Sequence, residues 1–354
     1  MFGYDEGRSR AELLPVLEVR KLTKVVDSER VALASVDLSV RPGQIKGLIS
    51  SNSFTVKTLF ELIVGLKSAD AGTIFSGSSD SPEVDDSQRA KFGFLPEQIL
   101  MPYGMNGFEY LRLMTDLSGM DREQSSSQIA SIAERLGIGE VLGSKCSELH
   151  ASERRLLALA GAGVHSPELL LLDEPTKEMD VFAEGRVKDF LKSITEAGGA
   201  ILITSREMGV IEKLAKDLVV FSESRVVYDG PISLIGGFGS RNVLTVQIEG
   251  LHGRFESALA APLAGGILSF RFDGDQYSVI FDEALLLTEM LRIVLEAAEE
   301  SGVILRNVGL QAQDLDEAVR KILINAPVQG KALYSSLELD GQPVRELPSG
   351  KDIE

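Results

Sequence analysis

The stretch Gly47-Leu48-Ile49-Ser50-Ser51-Asn52-Ser53-Phe54-Thr55-Val56-Lys57-Thr58-Leu59 decides how this chain folds. An apolar run enters a polar loop, and apolar residues then recur at Leu59, Leu62, Ile63 and Leu66, the spacing of one helix face. Strand, loop and helix in that order outline a phosphate loop. Such a loop, G-x-x-x-x-G-K-[ST], works because glycines let backbone N–H groups converge on phosphate oxygens, while Lys and a hydroxyl hold the outer phosphates and Mg²⁺. Here Ser50 and Thr55 stand at the glycine positions, Val56 at the lysine and Lys57 at the hydroxyl. An ammonium there cannot ligate Mg²⁺ and repels it. A register one residue later, Ser51, Val56, Lys57, Thr58, recovers a Lys-Thr pair. It requires an extra loop residue and a helix one residue shorter, so the first register is preferred.

Outward from this stretch, composition sets bounds. At 354 residues the chain holds two or three domains with ordinary cores. Its 36 basic and 53 acidic side chains leave a net charge of −17, which gives no electrostatic footprint for nucleic acid or an anionic membrane. No nucleic-acid partner is expected. The single Cys146 cannot form an internal disulfide, and Met1 to Pro15 lacks the blocks of a signal peptide, so a cytoplasmic location is expected. No run is long enough to span a bilayer, and any membrane role needs a separate chain. His150, His165 and His252 have no metal-ligand spacing.

Alternation predicts an antiparallel N-terminal sheet from Leu17 to Val40, and Gly72 to Phe75 a further strand. Ser76 to Ser87 is an acidic, Ser-rich loop. Tyr103 to Gly143 turns helical, with Tyr110, Leu111, Met114 and Leu117, then Ile129, Ile132 and Leu136, on helix faces. Leu169 to Leu172, Ala200 to Thr204, Leu218 to Phe221 and Val226 to Tyr228, with intervening helices, predict a parallel α/β core ending near Gly239. Gly236 to Ser240 reads as a hinge. Beyond it, strands at Val243 to Ile248, Ile267 to Phe272, Tyr277 to Phe281 and Val303 to Val308, with helices at Glu283 to Glu300 and Asp314 to Ile324, predict a small α+β unit of ferredoxin-like character. The expected organisation is a tail (1–15), an α/β core domain (16–239) with a helical subdomain at about 101–160, an accessory domain (240–328) and a flexible tail (329–354).

The pieces Leu22-Thr23-Lys24, Arg41-Pro42-Gly43-Gln44-Ile45-Lys46-Gly47, Gly65-Leu66-Lys67-Ser68-Ala69-Asp70-Ala71-Gly72-Thr73-Ile74, Phe92-Gly93-Phe94-Leu95-Pro96-Glu97 and Leu169-Leu170-Leu171-Leu172-Asp173-Glu174-Pro175-Thr176 follow one another as in a known family. In this order and spacing residues 17 to about 235 resemble the ATP-binding subunit of an ABC transporter. The Leu-Pro-Glu form and the ending Asp314-Leu315-Asp316-Glu317-Ala318-Val319 look like exporter subunits of the gliding-motility and drug-export type. The resemblance implies a P-loop, RecA-like ABC ATPase core with an antiparallel β subdomain and a helical subdomain. It also implies ATP and Mg²⁺ as ligands, homodimer or heterodimer pairing with another such subunit, and a separate transmembrane permease. The place implied is the cytoplasmic face of the membrane. Residues carried over are Ser50 to Thr58 and Glu97 at the nucleotide, Asp173 on the Mg²⁺ side, Glu174 as the catalytic carboxylate that polarises water, and Arg206 at the switch position. The dimer-facing signature reads Leu149-His150-Ala151-Ser152-Glu153, with Asp180 in the loop that crosses the dimer.

The departures are ordered too. Val26 stands where an aromatic stacks on adenine, Arg206 where a histidine is usual, and the signature has lost its glycines. Base stacking is worth about 1–3 kcal/mol, and each lost charge-assisted bond about 1.5–3 kcal/mol. Tight MgATP binding is not expected. Asp173 and Glu174 at the end of a buried strand need counter-charges, for which Lys57 and Arg206 are candidates. Two classes stay open: a pseudo-ATPase with a structural or regulatory role, and a motor subunit that hydrolyses ATP through Lys57 and Thr58. Met101-Pro102-Tyr103-Gly104-Met105-Asn106-Gly107-Phe108 lies, in the resembled fold, beside the permease groove.

Overall fold

The structure is a computed structural model that describes residues 14–27, 30–77, 86–235, 243–260, 266–274, 276–282, 285–310, 315–326, 338–339 and 342–343. In chain order its elements run β1 (Leu17–Asp27), β2 (Arg30–Val40), β3 (Ile45–Ser50), α1 (Ser53–Ile63), β4 (Ala71–Ser76), α2 (Asp86–Arg89) and β5 (Phe92–Leu95). Three helices follow, α3 (Gly107–Leu117), α4 (Arg122–Leu136) and α5 (Ala151–Gly163), then β6 (Leu169–Asp173), α6 (Val181–Glu196) and β7 (Ala200–Thr204). Next come α7 (Met208–Leu214), β8 (Asp217–Ser222), β9 (Arg225–Pro231), α8 (Ile232–Ile235), β10 (Val243–Glu249) and α9 (His252–Leu259). The last are β11 (Ile267–Asp273), β12 (Gln276–Phe281), α10 (Leu287–Ser301), β13 (Ile304–Leu310), α11 (Leu315–Asn325), β14 (Glu338–Leu339) and β15 (Gln342–Pro343).

The chain divides into two compact units, Met1–Ile232 with Ile322–Glu354, and Ser233–Lys321. In the first unit a six-stranded sheet has the order β5-β6-β7-β3-β8-β9. Its first five strands are parallel, while β9 returns antiparallel against β8. That corrects the expectation of a wholly parallel core: only Glu223 and Ser224 separate β8 from β9, a hairpin connection too short for a crossover. Leu169 to Leu172 and Ala200 to Ile203 are fully buried, as befits strands covered on both faces. Helix α1 packs Val56, Leu59, Phe60 and Ile63 into the same core. Gly47 keeps β3 close to α7, because a Cβ there would sit 2.6 Å from the Ile211 side chain. The antiparallel sheet β2-β1-β4 completes this unit, with β1 longer than the sequence suggests.

The second unit has the order β11-β12-β10-β13, all antiparallel, with α9 between β10 and β11 and α10 between β12 and β13. This is the βαββαβ arrangement of a ferredoxin-like unit. Helix α9 is an addition to the sequence expectation: it is short and starts without a side-chain cap, so its periodicity is weak. The Gly236 to Ser240 hinge, most of the acidic loop and nearly all of the C-terminal tail lie outside the described residues.

Candidate functional site at the carboxyl ends of the core strands

Adjacent strands β6, β7 and β3 end at Asp173, Thr204 and Ser50, so their carboxyl ends share one rim, the usual place for ligands in such sheets. A cavity of about 440 Å³ opens there, lined among others by Ser50, Ser53, Phe54, Val56, Lys57, Glu97, Asp173, Glu174, Ser205 and Arg206. The sequence-predicted nucleotide residues are thereby brought together. What they do there differs from expectation.

The loop folds onto itself. Asn52 caps α1, its Oδ1 accepting from Phe54 N at 3.0 Å and its carbonyl from Thr55 N at 3.1 Å. Ser50 Oγ accepts from Asn52 N at 3.1 Å, and Ser51 N donates to Phe221 O at 3.3 Å. The amides of Ser51, Asn52, Phe54 and Thr55 already have partners. Two further bonds tie the loop to the β8–β9 turn: Thr55 Oγ1 donates to Glu223 O at 2.7 Å, and Ser51 Oγ accepts from Glu223 N at 3.1 Å. Phe54 lies between two cations, 6.0 Å from Arg30 and 5.8 Å from Lys67, ring centroid to charged group. Val26 is 40% exposed and offers no stacking platform.

Helix α1 starts at Ser53, directly after the polar loop, with Asn52 as its N-cap. Thr58 is fully buried, and its Oγ1 has no hydrogen-bond partner. It faces the core because Thr58 lies beside Leu59 and Leu62 on the buried side of the helix. A buried, unsatisfied hydroxyl is costly, so Thr58→Val is expected to raise stability by about 1 kcal/mol in urea unfolding. A hydroxyl serving a metal would show the opposite, with lost nucleotide binding.

The carboxylates carry their own counter-charges. Arg206 Nη2 donates to Glu97 Oε1 at 2.9 Å, and its Nε lies 3.8 Å from Glu174 Oε1. Glu174 Oε1 also accepts from Arg206 N at 2.7 Å, and its Oε2 from Ser205 Oγ at 3.3 Å. Lys177 Nζ reaches Glu97 Oε1 at 3.1 Å. Below them, buried Arg155 on α5 donates from Nη1 to Glu174 O and from Nη2 to Glu97 O, both at 2.8 Å. Arg206 thus fills the counter-charge role. Lys57 does not: it sits on the exposed side of α1 and makes no ion pair among the described residues, while Lys177 takes its expected place.

Electrostatics follow from this geometry. Lys177, through its hydrogen bond, and Arg206 hold the Glu97 carboxyl below its usual range. Burial foremost, with Glu97 and Glu174 adding repulsion, pushes Asp173 from 3.8 to about 6. Burial also raises Glu174, against the opposing pull of the Arg206 amide. Glu174 adopts φ 54°, a left-handed conformation uncommon for a non-glycine residue, as the chain turns out of β6.

The signature residues form the start of α5. Glu153 folds back so that its Oε2 accepts from His150 N at 3.0 Å, and Arg154 Nη2 donates to Leu149 O at 2.9 Å. Ala151 and Ser152 open the helix, whose positive end is therefore met by the chain's own carboxylate. Asp180 is used likewise, capping α6 by accepting from Ala183 N at 2.8 Å. Sequence reasoning missed Arg155 and Lys177. A signal for Arg155 was present, since it stands against an unbroken apolar run from Leu156 to Ala160.

ATP with Mg²⁺ fits these residues poorly. The amides of Ser51, Asn52, Phe54 and Thr55 are taken, a cation-bearing side chain stands at the hydroxyl position, and Thr55 is engaged by Glu223. Of the described helices, none is long and apolar enough to cross a membrane.

Comparison with known proteins places the fold. Residues 33–177 match the family model described as ABC transporter. The chain is 25% identical over 241 residues to the daunorubicin/doxorubicin resistance ATP-binding protein DrrA of Streptomyces peucetius, covering 68% of this chain and 73% of that protein. It is 26% identical over 293 residues to the Nod factor export ATP-binding protein I of Burkholderia orbicola, covering 81% and 95%. Among solved structures, an ATP-binding subunit of an ABC transporter superposes with a TM-score of 0.59 at 21% identity, covering 63% of this chain and 93% of that one. Motif order, strand topology and these matches agree that residues 33–177 of this chain match the ATP-binding domain of ABC transporters.

Proposed function

We propose that this chain is the ATP-binding-type subunit of an ABC transporter in which the nucleotide site has become a structural ionic hub. The observation that carries this reading is the Glu97, Arg206, Glu174 and Lys177 cluster, set beside a loop in which the amides of Ser51, Asn52, Phe54 and Thr55 are already bonded to the protein. The subunit pairs, as homodimer or heterodimer, with another cassette subunit and serves a separate permease in a structural or regulatory role. It does so from the cytoplasmic face of the membrane. Support for the permease contact comes from the segment before α3, where Leu100 is 93% and Tyr103 96% exposed, beside Met101 and Met105. The relatives are named for drug resistance and Nod factor export, which favours an exporter. In the proposed organisation residues 16–239 form the cassette, 240–328 the accessory domain and 329–354 a flexible tail.

The alternative is a motor that binds and hydrolyses ATP to drive export; the buried hydroxyl of Thr58 counts against it. The test is calorimetric titration of the purified chain with MgATP, paired with thermal melts. Ligand at about a hundred times its Kd adds about 2.7 kcal/mol of stability, so even weak binding is visible as a melting shift. The expected result is neither saturable heat nor a shift at millimolar nucleotide. Saturable binding abolished by Lys57→Ala would overturn the pseudo-ATPase and restore the motor.

A further inference from the structure

In the first unit, helices α6 and α7 leave between them a slot that takes no part in the ionic hub. Val181, Glu184, Gly185 and Lys188 recur on one face of α6, and Val210, Lys213 and Leu214 on one face of α7, with Thr176 beside them. They enclose about 180 Å³. Val210 is buried and Leu214 half-buried, so the slot has apolar walls. Gly185 holds it open: a Cβ there would meet nothing within 4 Å, although glycine inside a helix is less stable than alanine.

Charge marks the same slot. Lys188 and Lys213 are exposed, and neither makes an ion pair among the described residues. Lys192, one turn further along α6, does pair, with Glu196. Glu184 is the one carboxylate lining the slot and is likewise without an ion pair among the described residues, so two ammonium groups stand against one carboxylate. That is a local excess of positive charge in a chain of net charge −17. Solution charges further off than about 8 Å are largely screened at physiological salt, so the nearby lysines dominate.

We propose that this slot binds a small amphiphilic carboxylate, its alkyl chain against Val210 and Leu214 and its carboxylate met by Lys188 and Lys213. A water-sized group takes about 30 Å³ in the liquid, and a methylene is of that size, so the slot takes a chain of about six carbons. Other chemistries fit less well. An alkyl ammonium would bring a like charge to both lysines. A compact inorganic anion would leave the apolar walls uncovered, and a plain alkane would leave the lysines unused. Bound there, the ligand braces α6 against α7, the helices that follow Asp180 and Arg206. The site shares no residue with the hub and does not rest on the function proposed above.

The experiment is calorimetric titration of the full chain with butanoate, hexanoate and octanoate, and with octylamine. Each methylene buried is worth about fourfold in affinity, so hexanoate should bind about tenfold or more tightly than butanoate, and octylamine should give no saturable heat. Gly185→Leu fills the slot and should abolish octanoate binding with its melting temperature kept or raised, since leucine is the better helix former. Lys188→Gln combined with Lys213→Gln should weaken octanoate about tenfold, and Glu184→Gln should tighten it. Because it changes only exposed positions, the double lysine variant still decides the matter if Gly185→Leu fails to fold. Absence of saturable heat at millimolar octanoate overturns the proposal. So does equal binding of octylamine, an affinity that does not rise from butanoate to hexanoate, or octanoate binding unchanged in folded Gly185→Leu or in the double lysine variant.

Discussion

Replacing Arg155 with alanine is expected to lower the stability of the first unit by about 3–5 kcal/mol, the range for removing one partner from a buried charge cluster. Arg155 is 6% exposed and donates to two backbone carbonyls, those of Glu97 and Glu174, which follow β5 and β6. Without the guanidinium both carbonyls lose a donor in a place where water enters poorly, at about 1–3 kcal/mol each. Glu97, Asp173 and Glu174 also lose the buried positive charge beneath them. Arg155→Met keeps the stem's packing and should recover only that part of the loss. Urea unfolding followed by hydrogen exchange at β6 would measure it, since a chain of two units need not unfold in one step. A loss below about 1 kcal/mol would mean that solvent replaces the guanidinium and that the hub is weakly coupled to the fold.

Replacing Asp173 with asparagine is expected to stabilise the protein above pH 6 and to flatten its pH dependence. Asp173 ionises at about 6 in the folded chain, against 3.8 ordinarily, so between these values the native state holds a proton that the unfolded state has lost. Stability therefore falls as pH rises through that window and is level above it. A shift of about two units corresponds to about 3 kcal/mol, of which Asp173→Asn should recover a large share at pH 7. Glu174, also raised, acts in the same direction. Glu97, lowered by Lys177 and Arg206, acts oppositely: its contribution is present above its ordinary value of 4.5 and lost as pH falls below it. Melting curves of native and variant chains from pH 4 to pH 8 separate these contributions. A variant less stable than the native chain at pH 7 would show that ionised Asp173 is stabilised in place, for instance by a bound cation.

Much of the fold was legible because burial writes a period into sequence. Leu169 to Leu172 read as an interior strand and proved fully buried, and the 3.6-residue spacing of Leu59, Leu62 and Ile63 marked the buried face of α1, whereas Leu66, read with them, lies beyond the helix end and is exposed. Where the signal was short it failed: α9 has one short face and no cap, and β9 was read as part of a parallel core although strand polarity is set by the connection, not by the strand's own residues. At the site, residue identity showed which motif positions are altered. It did not show which cations meet the carboxylates. Lys57 and Arg206 looked equivalent on paper; helix phase turned one outward, while the end of β7 set the other against two carboxylates.

By itself, then, the sequence determined the order of strands and helices, the missing phosphate-loop glycines and the surviving pair Asp173 and Glu174. These depend on local pattern and on which atoms a side chain possesses. Only the tertiary structure decided that Arg155, Lys177 and Arg206 converge on Glu97 and Glu174, that Thr58 points into the core, and that Asn52 and Glu153 spend their side chains on their own helix ends. Each of these depends on the meeting of residues far apart in the chain or on the phase of a helix against its neighbours. Charge balance in a buried site is a property of that meeting, because a carboxylate's cost in low dielectric is set by whichever donors the fold brings within hydrogen-bond reach.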